Sequence, residues 1–338
     1  MVAALSTCRD GRAASRGAAP VRAGSSGVGV GFSTGAGPDT PWGGGSLSDV
    51  DLVRYLDLVD SVGAAGVRLD AYSATDSRLE RVVALTHERG MKFLLNVWPG
   101  GMGTITPEAY AQQAVALARK YAPLGVREYE LGNEPNLRSF YGARVSPNGW
   151  RLRHNAAYDA IKAYDPTLTV ISGGLAPCGK QGDVFAWGMN QTTFLKRVLA
   201  SGPLRMDVFG YHAYEYGSGL SGAEMMAQKH TDPYSSLRQL YLAPVNALGL
   251  LALQGHHPQV ELTEIGVPTT TLGQGTTEQA QADFLELMVS WWEAQPWARG
   301  MWWYSVLDRS SFATSTEGHF GLWRKDWSAK PAVTVFAR

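Results

Sequence analysis

Short apolar runs separated by amphipathic segments recur eight times along the chain. The runs are rich in β-branched and aromatic residues, which is typical of β-strands. They lie at 27–33, 66–71, 92–98, 127–133, 168–174, 206–214, 259–266 and 300–307. Apolar residues at helical spacing predict helices at about 48–62, 76–89, 107–121, 148–164, 191–200, 235–254 and 277–295, with a short last one near 330–337.

Eight alternations of strand and helix predict an α/β fold, a closed (β/α)8 TIM barrel, as one domain over 27–338. The alternative is an open doubly wound sheet, which normally carries a glycine-rich phosphate turn after its first strand. Here that turn reads FSTGAGPDTPWGGGS. It does not fit the G-x-G-x-x-G pattern, and Pro38 and Pro41 interrupt it. The barrel is therefore the preferred prediction.

Two glutamates stand where active sites form in such barrels, at the carboxyl ends of the strands. Glu134 follows the fourth predicted strand in EYELGNEPN, and Glu264 ends the seventh in QVELTEIG. These strands lie across the barrel mouth from each other, so the two side chains are expected to face one pocket. A facing pair of carboxyl groups is the arrangement that breaks a glycosidic bond. Glu130 and Glu261 lie on the same strands but deeper or at the far end, and are interpreted as structural ion-pair partners.

The Asn133-Glu134-Pro135 sequence after strand four, together with Glu264 after strand seven, resembles clan A of the glycoside hydrolases. That clan consists of retaining enzymes on (β/α)8 barrels, and the resemblance extends over about 27–338. It implies that Glu134 is the general acid/base and Glu264 the nucleophile. It also implies that Asn133 contacts the 2-hydroxyl of the sugar.

Further positions match the same clan. GVRLDA supplies an arginine on strand two, YHAYEYG supplies His-x-Tyr on strand six, and GMWWYSVLD supplies an aromatic floor on strand eight followed by an acid. The tyrosine hydroxyl of strand six would hold the nucleophile ionised by a hydrogen bond. The substrate-binding candidates are Arg68, Asn133, His212, Tyr214, Trp98, Trp303 and Tyr304.

Within the clan, the pattern is closest to family 39 and to family 5-like bacterial enzymes. Family 5 usually has a histidine near the end of strand three, where this chain has Asn96 and Trp98 in LLNVWPGG. The usual strand-eight tryptophan would be replaced here by Tyr304. Aromatic side chains at strand ends and in loops also suit a sugar-binding cleft. The tryptophans in such places are Trp42, Trp98, Trp187, Trp303 and Trp323.

The composition of the chain limits the kinds of partner that the protein is expected to bind. Formal net charge is zero and basic residues do not cluster, so no nucleic acid partner is expected. No apolar run is long enough to span a membrane. The two cysteines suit neither a disulfide framework nor a zinc site. Segment 1–26 is rich in Ala, Arg, Gly and Ser and is predicted to be disordered. An extracellular or cell-envelope location is expected by analogy with polysaccharide hydrolases, although the segment contains no complete signal peptide.

The sequence thus predicts a retaining β-glycosidase, with its catalytic domain over 27–338, that acts by double displacement on a poly- or oligosaccharide and uses no metal or organic cofactor. Long loops after strands four, five, six and eight suggest endo action along a groove. Two rivals stay open. One is a metal-dependent barrel hydrolase, whose usual His-x-His on strand one is absent from GVGVGFS. The other is a barrel that binds glycans without cleaving them.

Overall fold

The structure is a computed structural model that describes residues 29–34, 47–142, 144–180, 182–215, 219–227, 243–271, 275–309 and 313–336. The segment 1–26, predicted to be disordered, and Trp42 lie outside the described residues. None of the helices among the described residues is both long enough and apolar enough to cross a membrane.

Eight parallel strands close into a barrel in chain order, with the first strand paired to the last. The strands are β1 Gly29–Ser33, β2 Gly66–Ala71, β3 Lys92–Val97, β4 Glu128–Asn133, β5 Thr169–Gly174, β6 Val208–Tyr214, β7 Gln259–Gly266 and β8 Ala298–Tyr304. All eight predicted strands are present, and the (β/α)8 fold is confirmed.

Helices follow the strands around the outside of the barrel. They are α1 Asp49–Ser61, α2 Ser77–Glu88, α3 Pro107–Tyr121, α4 Arg138–Tyr141, α5 Pro147–Tyr164, α6 Gln191–Ala200, α7 Gly222–Ala227, α8 Ala243–Ala252, α9 Glu278–Glu293 and α10 Ala332–Phe336. The side chains of Ser48 and Thr106 cap α1 and α3 by accepting hydrogen bonds from first-turn N–H groups. The predicted helix 235–254 is described only as α8, because 228–242 lie outside the described residues.

The inside of the barrel contains both apolar and charged side chains, whereas the layer between the strands and the helices is apolar. Leu94, Ile171, Val208 and Trp302 form a small buried cluster inside it. A much larger apolar core, which includes Leu69, fills the space between the strands and the helices. Burial on both faces explains why the strands read as nearly continuous apolar runs. Charged residues also enter the interior, where partners on several strands hold them.

An ion pair between the buried Lys330 and the partly buried Asp308 joins the segment after β8 to the end of the barrel at which the strands finish. Lys330 Nζ lies 2.7 Å from Asp308 Oδ1 and 2.6 Å from Thr269 Oγ1. Asp308 follows β8 and Thr269 follows β7. Lys330 thus anchors two of the loops that surround the mouth of the barrel.

Candidate active site

The fold brings Glu134 and Glu264 to the carboxyl ends of β4 and β7, as predicted. Both are buried, with 8% and 7% of their surface exposed. Glu134 has a backbone φ of 40°, a region that non-glycine residues rarely occupy. Its N–H donates to the Gly174 carbonyl at 3.0 Å. The turn after β4 is therefore pinned to β5 in a conformation that places Glu134 at the mouth of the barrel.

Three side chains from three other strands hold the carboxylate of Glu264. Arg68 Nη1 donates to Glu264 Oε1 at 2.6 Å, and Ser33 Oγ donates to the same oxygen at 3.3 Å. The Tyr214 hydroxyl donates to the other oxygen, Oε2, in a short hydrogen bond. Burial alone would raise the pKa of Glu264, but the charges of His212 and Arg68 and the hydrogen bonds from Tyr214 and Arg68 outweigh it and lower the pKa. Glu264 is thus held as a carboxylate in a fixed orientation.

Glu134 has a different environment. Its Oε1 lies 3.0 Å from His212 Nδ1, and among the described residues no arginine forms an ion pair with it. Burial raises the pKa of Glu134, the hydrogen bond and charge of His212 oppose this, and the charge of Glu264 reinforces it, leaving the pKa above the usual glutamate value. The two carboxyl groups therefore differ in the direction of their pKa shifts, which separates a proton donor from an ionised partner.

The two carboxyl groups are close. One oxygen of each lies within 4.8 Å of the other, and His212 Nδ1 contacts both groups, at 3.0 Å from Glu134 Oε1 and 3.6 Å from Glu264 Oε2. Retaining glycosidases separate their carboxyl groups by about 5–5.5 Å, whereas inverting ones need about 6.5–9.5 Å to admit a water molecule. The distance between this pair of oxygens lies below the inverting range.

Arg68 organises the floor of the pocket. Its Nε lies 2.5 Å from Glu130 Oε2, and its Nη2 donates to Asn133 Oδ1 at 3.1 Å. Both Arg68 and Glu130 are fully buried, so the pair satisfies charges that would otherwise be costly in the interior. The interpretation of Glu130 and Glu261 as ion-pair partners is confirmed, since Glu261 pairs with Arg299. Because Arg68 takes the amide oxygen of Asn133, the Asn133 NH2 group is left to face away from the guanidinium.

Gly174 makes room for His212. A Cβ at position 174 would lie 2.2 Å from His212 Cδ2 and Nε2 and 2.7 Å from Thr263 Oγ1. The imidazole is fully buried, so it cannot swing away without leaving Glu134. The glycine that ends β5 is therefore needed for the position of the histidine on β6.

Replacing Gly174 by alanine is expected to destabilise the fold by roughly 1–3 kcal/mol, the scale of overpacking in a filled core, and to displace His212. Denaturant unfolding measures the loss of stability. Gly249→Ala is the matched control, because a Cβ at this helical position meets nothing within 4 Å. That variant is expected to be neutral or slightly more stable. Equal stability of the two variants would contradict the role given to Gly174.

Two of the aromatic candidates, Tyr304 and Trp98, lie at or just after the carboxyl ends of their strands. Tyr304 ends β8, is 8% exposed, and packs edge-on against Tyr214 with ring centroids 6.0 Å apart. The Arg309 guanidinium lies over the Tyr304 ring at 5.1 Å. Trp98 follows β3, is 7% exposed, and packs edge-on against Phe140. Tyr304 is thus placed beside the tyrosine that holds the carboxylate of β7, and Trp98 lies at the end of β3.

The assignment of Trp303 to the sugar-binding pocket is wrong. Its side chain is fully buried in the core between the barrel and the helices, and its Nε1 donates to the Phe320 carbonyl at 3.2 Å. Alternate residues of a strand face opposite sides, so Trp303 points away from the side that Trp302 and Tyr304 occupy. Trp323 is also a core residue, 3% exposed.

Two residues near the pocket are not among the predicted ones. Ser33 contacts Glu264 from the end of β1. Asp70, near the carboxyl end of β2, accepts a hydrogen bond at 2.7 Å from Asn96 Nδ2. Burial raises the pKa of Asp70, while the charge of Arg68 opposes this. In the sequence, only the positions of Ser33 and Asp70 indicate a place near the site, because both are polar residues at or near the ends of otherwise apolar strands.

Glu134, His212 and Glu264 also form the group of possible metal ligands found among the described residues. The donor set does not favour a cation, because Arg68 already places a positive charge 2.6 Å from Glu264. Burial lowers the pKa of His212, but the charges of Glu264 and Glu134 and the hydrogen bond to Glu134 outweigh it and raise the pKa. A proton on the imidazole competes with a metal ion for the ring nitrogen.

Cys178 lies in the loop after β5. Its side chain is buried, and burial raises its pKa to about 12. A thiol in this state is not a nucleophile at neutral pH, because the thiolate is the reactive form.

Comparison with known proteins finds solved barrels of similar fold. The chain is similar to a family 39 glycoside hydrolase from the gut symbiont Bacteroides cellulosilyticus WH2, at 23% identity and a TM-score of 0.63 over 90% of this chain and 62% of that one. It is similar to a GH2 β-galacturonidase from Eisenbergiella tayi, at 16% identity and a TM-score of 0.61 over 91% and 50%. It is also similar to a Faecalibacterium prausnitzii β-glucuronidase, at 18% identity and a TM-score of 0.58 over 92% and 48%.

These likenesses establish the shared (β/α)8 fold. The chain spans about half to three-fifths of the length of these proteins. No protein-family model matches the sequence, and a search of the curated proteins finds no match.

Proposed function

We propose that this protein is a retaining β-glycosidase with Glu264 as nucleophile and Glu134 as general acid/base. The observation that carries the proposal is that two carboxyl groups, with one oxygen of each within 4.8 Å of the other, have different charged and hydrogen-bonded surroundings. Arg68 and Tyr214 hold Glu264 ionised, while burial keeps the pKa of Glu134 raised. The clan A motifs of the sequence and the glycosidase barrels of similar fold support the same conclusion.

In the first step, Glu264 attacks the anomeric carbon and Glu134 gives its proton to the leaving-group oxygen. The glycosidic bond breaks, and an ester bond joins the sugar to Glu264. In the second step, Glu134 takes a proton from water, which attacks the anomeric carbon and releases Glu264. The raised pKa of Glu134 suits the first step, and its fall once the charge of Glu264 is consumed suits the second.

Asn133 is proposed to bind the reacting sugar. Its amide oxygen accepts from Arg68, so its NH2 group is the part that can donate to a hydroxyl of the sugar. Asn133 ends β4 and directly precedes Glu134, so it lies at the same mouth of the barrel. A hydrogen bond from this position to the 2-hydroxyl would strengthen in the transition state.

The proposed roles define a pH dependence. Activity requires Glu264 ionised and Glu134 protonated, so kcat/KM falls below the lowered pKa of Glu264 and above the raised pKa of Glu134. Burial raises the pKa of both glutamates, and the positive charge of His212 opposes this at each of them. Replacing His212 by glutamine is therefore expected to move both limbs of the profile to higher pH. Initial rates across the pH range measure this shift, and limbs that stay in place would contradict it.

The test of the proposed function is hydrolysis of a panel of aryl β-glycosides and of β-glucans, xylans, mannans, galactans, arabinans and bacterial exopolysaccharides. Aryl β-glucuronides and β-galacturonides belong in the panel because two proteins of similar fold are named for these sugars. A Glu264→Gln variant serves as the negative control. Release of product by the wild type and its loss in the variant would support the proposal. Activity that survives Glu264→Gln would overturn the site assignment.

The same panel separates the two rival functions. A metal-dependent hydrolase would lose activity on treatment with a chelator and regain it with a divalent cation, whereas the double displacement proposed here is insensitive to both. A barrel that binds glycans without cleaving them would retain polysaccharide on an affinity gel and release no product. Endo action, which we also propose, would yield a range of oligosaccharides from a polymer rather than single sugars.

A further inference from the structure

An exposed pair of stacked, nearly parallel aromatic rings lies at the end of the barrel where the strands finish, in the loop between β5 and α6. Phe185 and Trp187 stack with ring centroids 4.9 Å apart and an interplanar angle of 6°. They are 39% and 53% exposed. Large aromatic side chains usually bury most of their surface, and the neighbouring Val184 is also exposed, at 48%. The pair thus contributes little to the core of the barrel.

The backbone that carries the two rings is well fixed. The Phe185 N–H donates to the Gly188 carbonyl at 2.7 Å and closes a tight turn. Val184 and Met189 pair as an isolated antiparallel bridge at its base. Gly188 is tightly enclosed, since a Cβ there would lie 2.8 Å from Leu137 Cδ2. The two rings are therefore presented on a preorganised turn, which lowers the entropic cost of binding a ligand.

This turn is joined to the segment that follows β4. Leu137 pairs with Gly188 as an antiparallel bridge, and the Arg138 N–H donates to the Trp187 carbonyl at 2.8 Å. The side chain of Asn136, two positions after the acid/base candidate, donates through Nδ2 to the carbonyl of residue 189 at 2.9 Å. The N–H of residue 189 donates back to the Asn136 carbonyl at 2.9 Å. The aromatic pair is thus tied to the side of the pocket on which Glu134 stands.

The position indicates which part of a substrate would reach the pair. Glu134, in the proposed function, gives its proton to the glycosidic oxygen, which leaves with the departing group. The departing group must therefore lie on the Glu134 side of the pocket, where the loop between β5 and α6 carries the two rings. A pyranose ring presents C–H groups on its faces and stacks on flat aromatic surfaces of this kind.

We propose that Trp187, with Phe185, forms a binding subsite for a sugar ring of the leaving group, which makes the substrate a β-linked oligo- or polysaccharide rather than a glycoside of a small alcohol. This inference rests on the proposed function of Glu134 and Glu264. It adds a site for the part of the substrate that departs, and it accounts for an exposed tryptophan that the reacting centre does not use.

The experiment compares two substrates that share the reacting sugar. One is the β-glycosyl fluoride, whose leaving group is a single atom and cannot reach Trp187. The other is a tetrasaccharide of the glycan that the panel identifies. In Trp187→Ala the ratio of kcat/KM on the tetrasaccharide to kcat/KM on the fluoride is expected to fall about tenfold, the effect of losing one stacking contact. Trp187→Phe, which keeps an aromatic face, should recover part of the loss.

Tyr164→Ala provides the matched control. Tyr164 is also an exposed aromatic residue, at 37%, but it ends α5 just before β5 and so lies at the opposite end of the barrel. Its replacement is expected to leave the ratio unchanged. An unchanged ratio in Trp187→Ala would overturn the subsite while leaving the proposed function intact, because fluoride hydrolysis by the wild type reports on the reacting centre alone.

Binding provides a readout that does not depend on turnover. Tetrasaccharide fragments of each glycan in the panel are titrated into Glu264→Gln and into Glu264→Gln/Trp187→Ala by calorimetry. The second protein is expected to bind about tenfold more weakly. Equal affinity of the two proteins, or binding of no fragment by either, would refute the subsite.

Discussion

Replacing Glu264 by alanine is expected to reduce kcat by about 10^4-fold or more, the scale on which loss of a covalent nucleophile acts in other enzymes. The variant removes the carboxylate that Arg68, Ser33 and Tyr214 hold, and it leaves space on the face of the sugar opposite the leaving group. The measurement is the initial rate on an activated aryl β-glycoside, with Tm recorded to show that the variant folds.

Adding azide to the variant tests specifically whether Glu264 acts as the nucleophile. In Glu264→Ala, azide can enter the vacated space and attack the anomeric carbon while Glu134 protonates the leaving group. The product is then the α-glycosyl azide, formed with inversion. Glu261→Ala is a comparison on the same strand, because Glu261 pairs with Arg299 away from the pocket and its loss should not be rescued by azide. Rescue of Glu264→Ala to the β-azide would contradict its assignment as nucleophile.

Replacing Glu134 by alanine is expected to produce a loss that depends on the leaving group. Poor leaving groups need the proton that Glu134 supplies, so their kcat/KM should fall by about 10^2–10^4-fold, the range for general acid catalysis. Activated leaving groups depart without the proton and should lose much less in the first step. The measurement is a series of aryl β-glycosides with leaving groups of graded pKa, compared between the wild type and the variant.

Azide distinguishes Glu134 from Glu264 in this series as well. In Glu134→Ala the glycosyl-enzyme on Glu264 still forms, and azide attacks it without needing a general base, so the product is the β-glycosyl azide. The two variants are therefore expected to give opposite anomers from the same added nucleophile. A uniform loss across all leaving groups, with no azide product, would contradict the role of Glu134 as acid/base.

Much of this site is predictable because of how a parallel barrel is built. Strands buried on both faces read as apolar runs, and their carboxyl ends meet at one mouth. Glu134 and Glu264 stand out because each lies at the end of such a run, on strands that face each other. Arg68 and Tyr214 follow from the resemblance to clan A, and the structure places both on Glu264.

The rest depends on side-chain direction and on contacts between residues far apart in sequence. Trp303 stands between Trp302 and Tyr304 in the sequence. Only the alternation of strand faces shows that its side chain points to the opposite side of the sheet from theirs. The fit of His212 against Gly174 joins two strands and exists only in the packed barrel. The stacking of Phe185 on Trp187 depends on a turn held by the segment after β4, and no strand or helix period reveals it.

In the proposed mechanism, Glu264 forms a covalent bond to the sugar during the reaction. Incubating the wild type with a 2-deoxy-2-fluoro β-glycoside of the sugar that the panel identifies, and mapping the labelled peptide by mass spectrometry, tests for this bond. The 2-fluoro group slows both steps, so the glycoside carries an activated leaving group, such as fluoride, which keeps the first step fast enough for the glycosyl-enzyme to accumulate. We expect a mass increase of one fluoroglycosyl unit on the peptide from β7, at Glu264. A label on Glu134 or on any other residue, or turnover of the sugar with inversion at the anomeric carbon, would contradict the account.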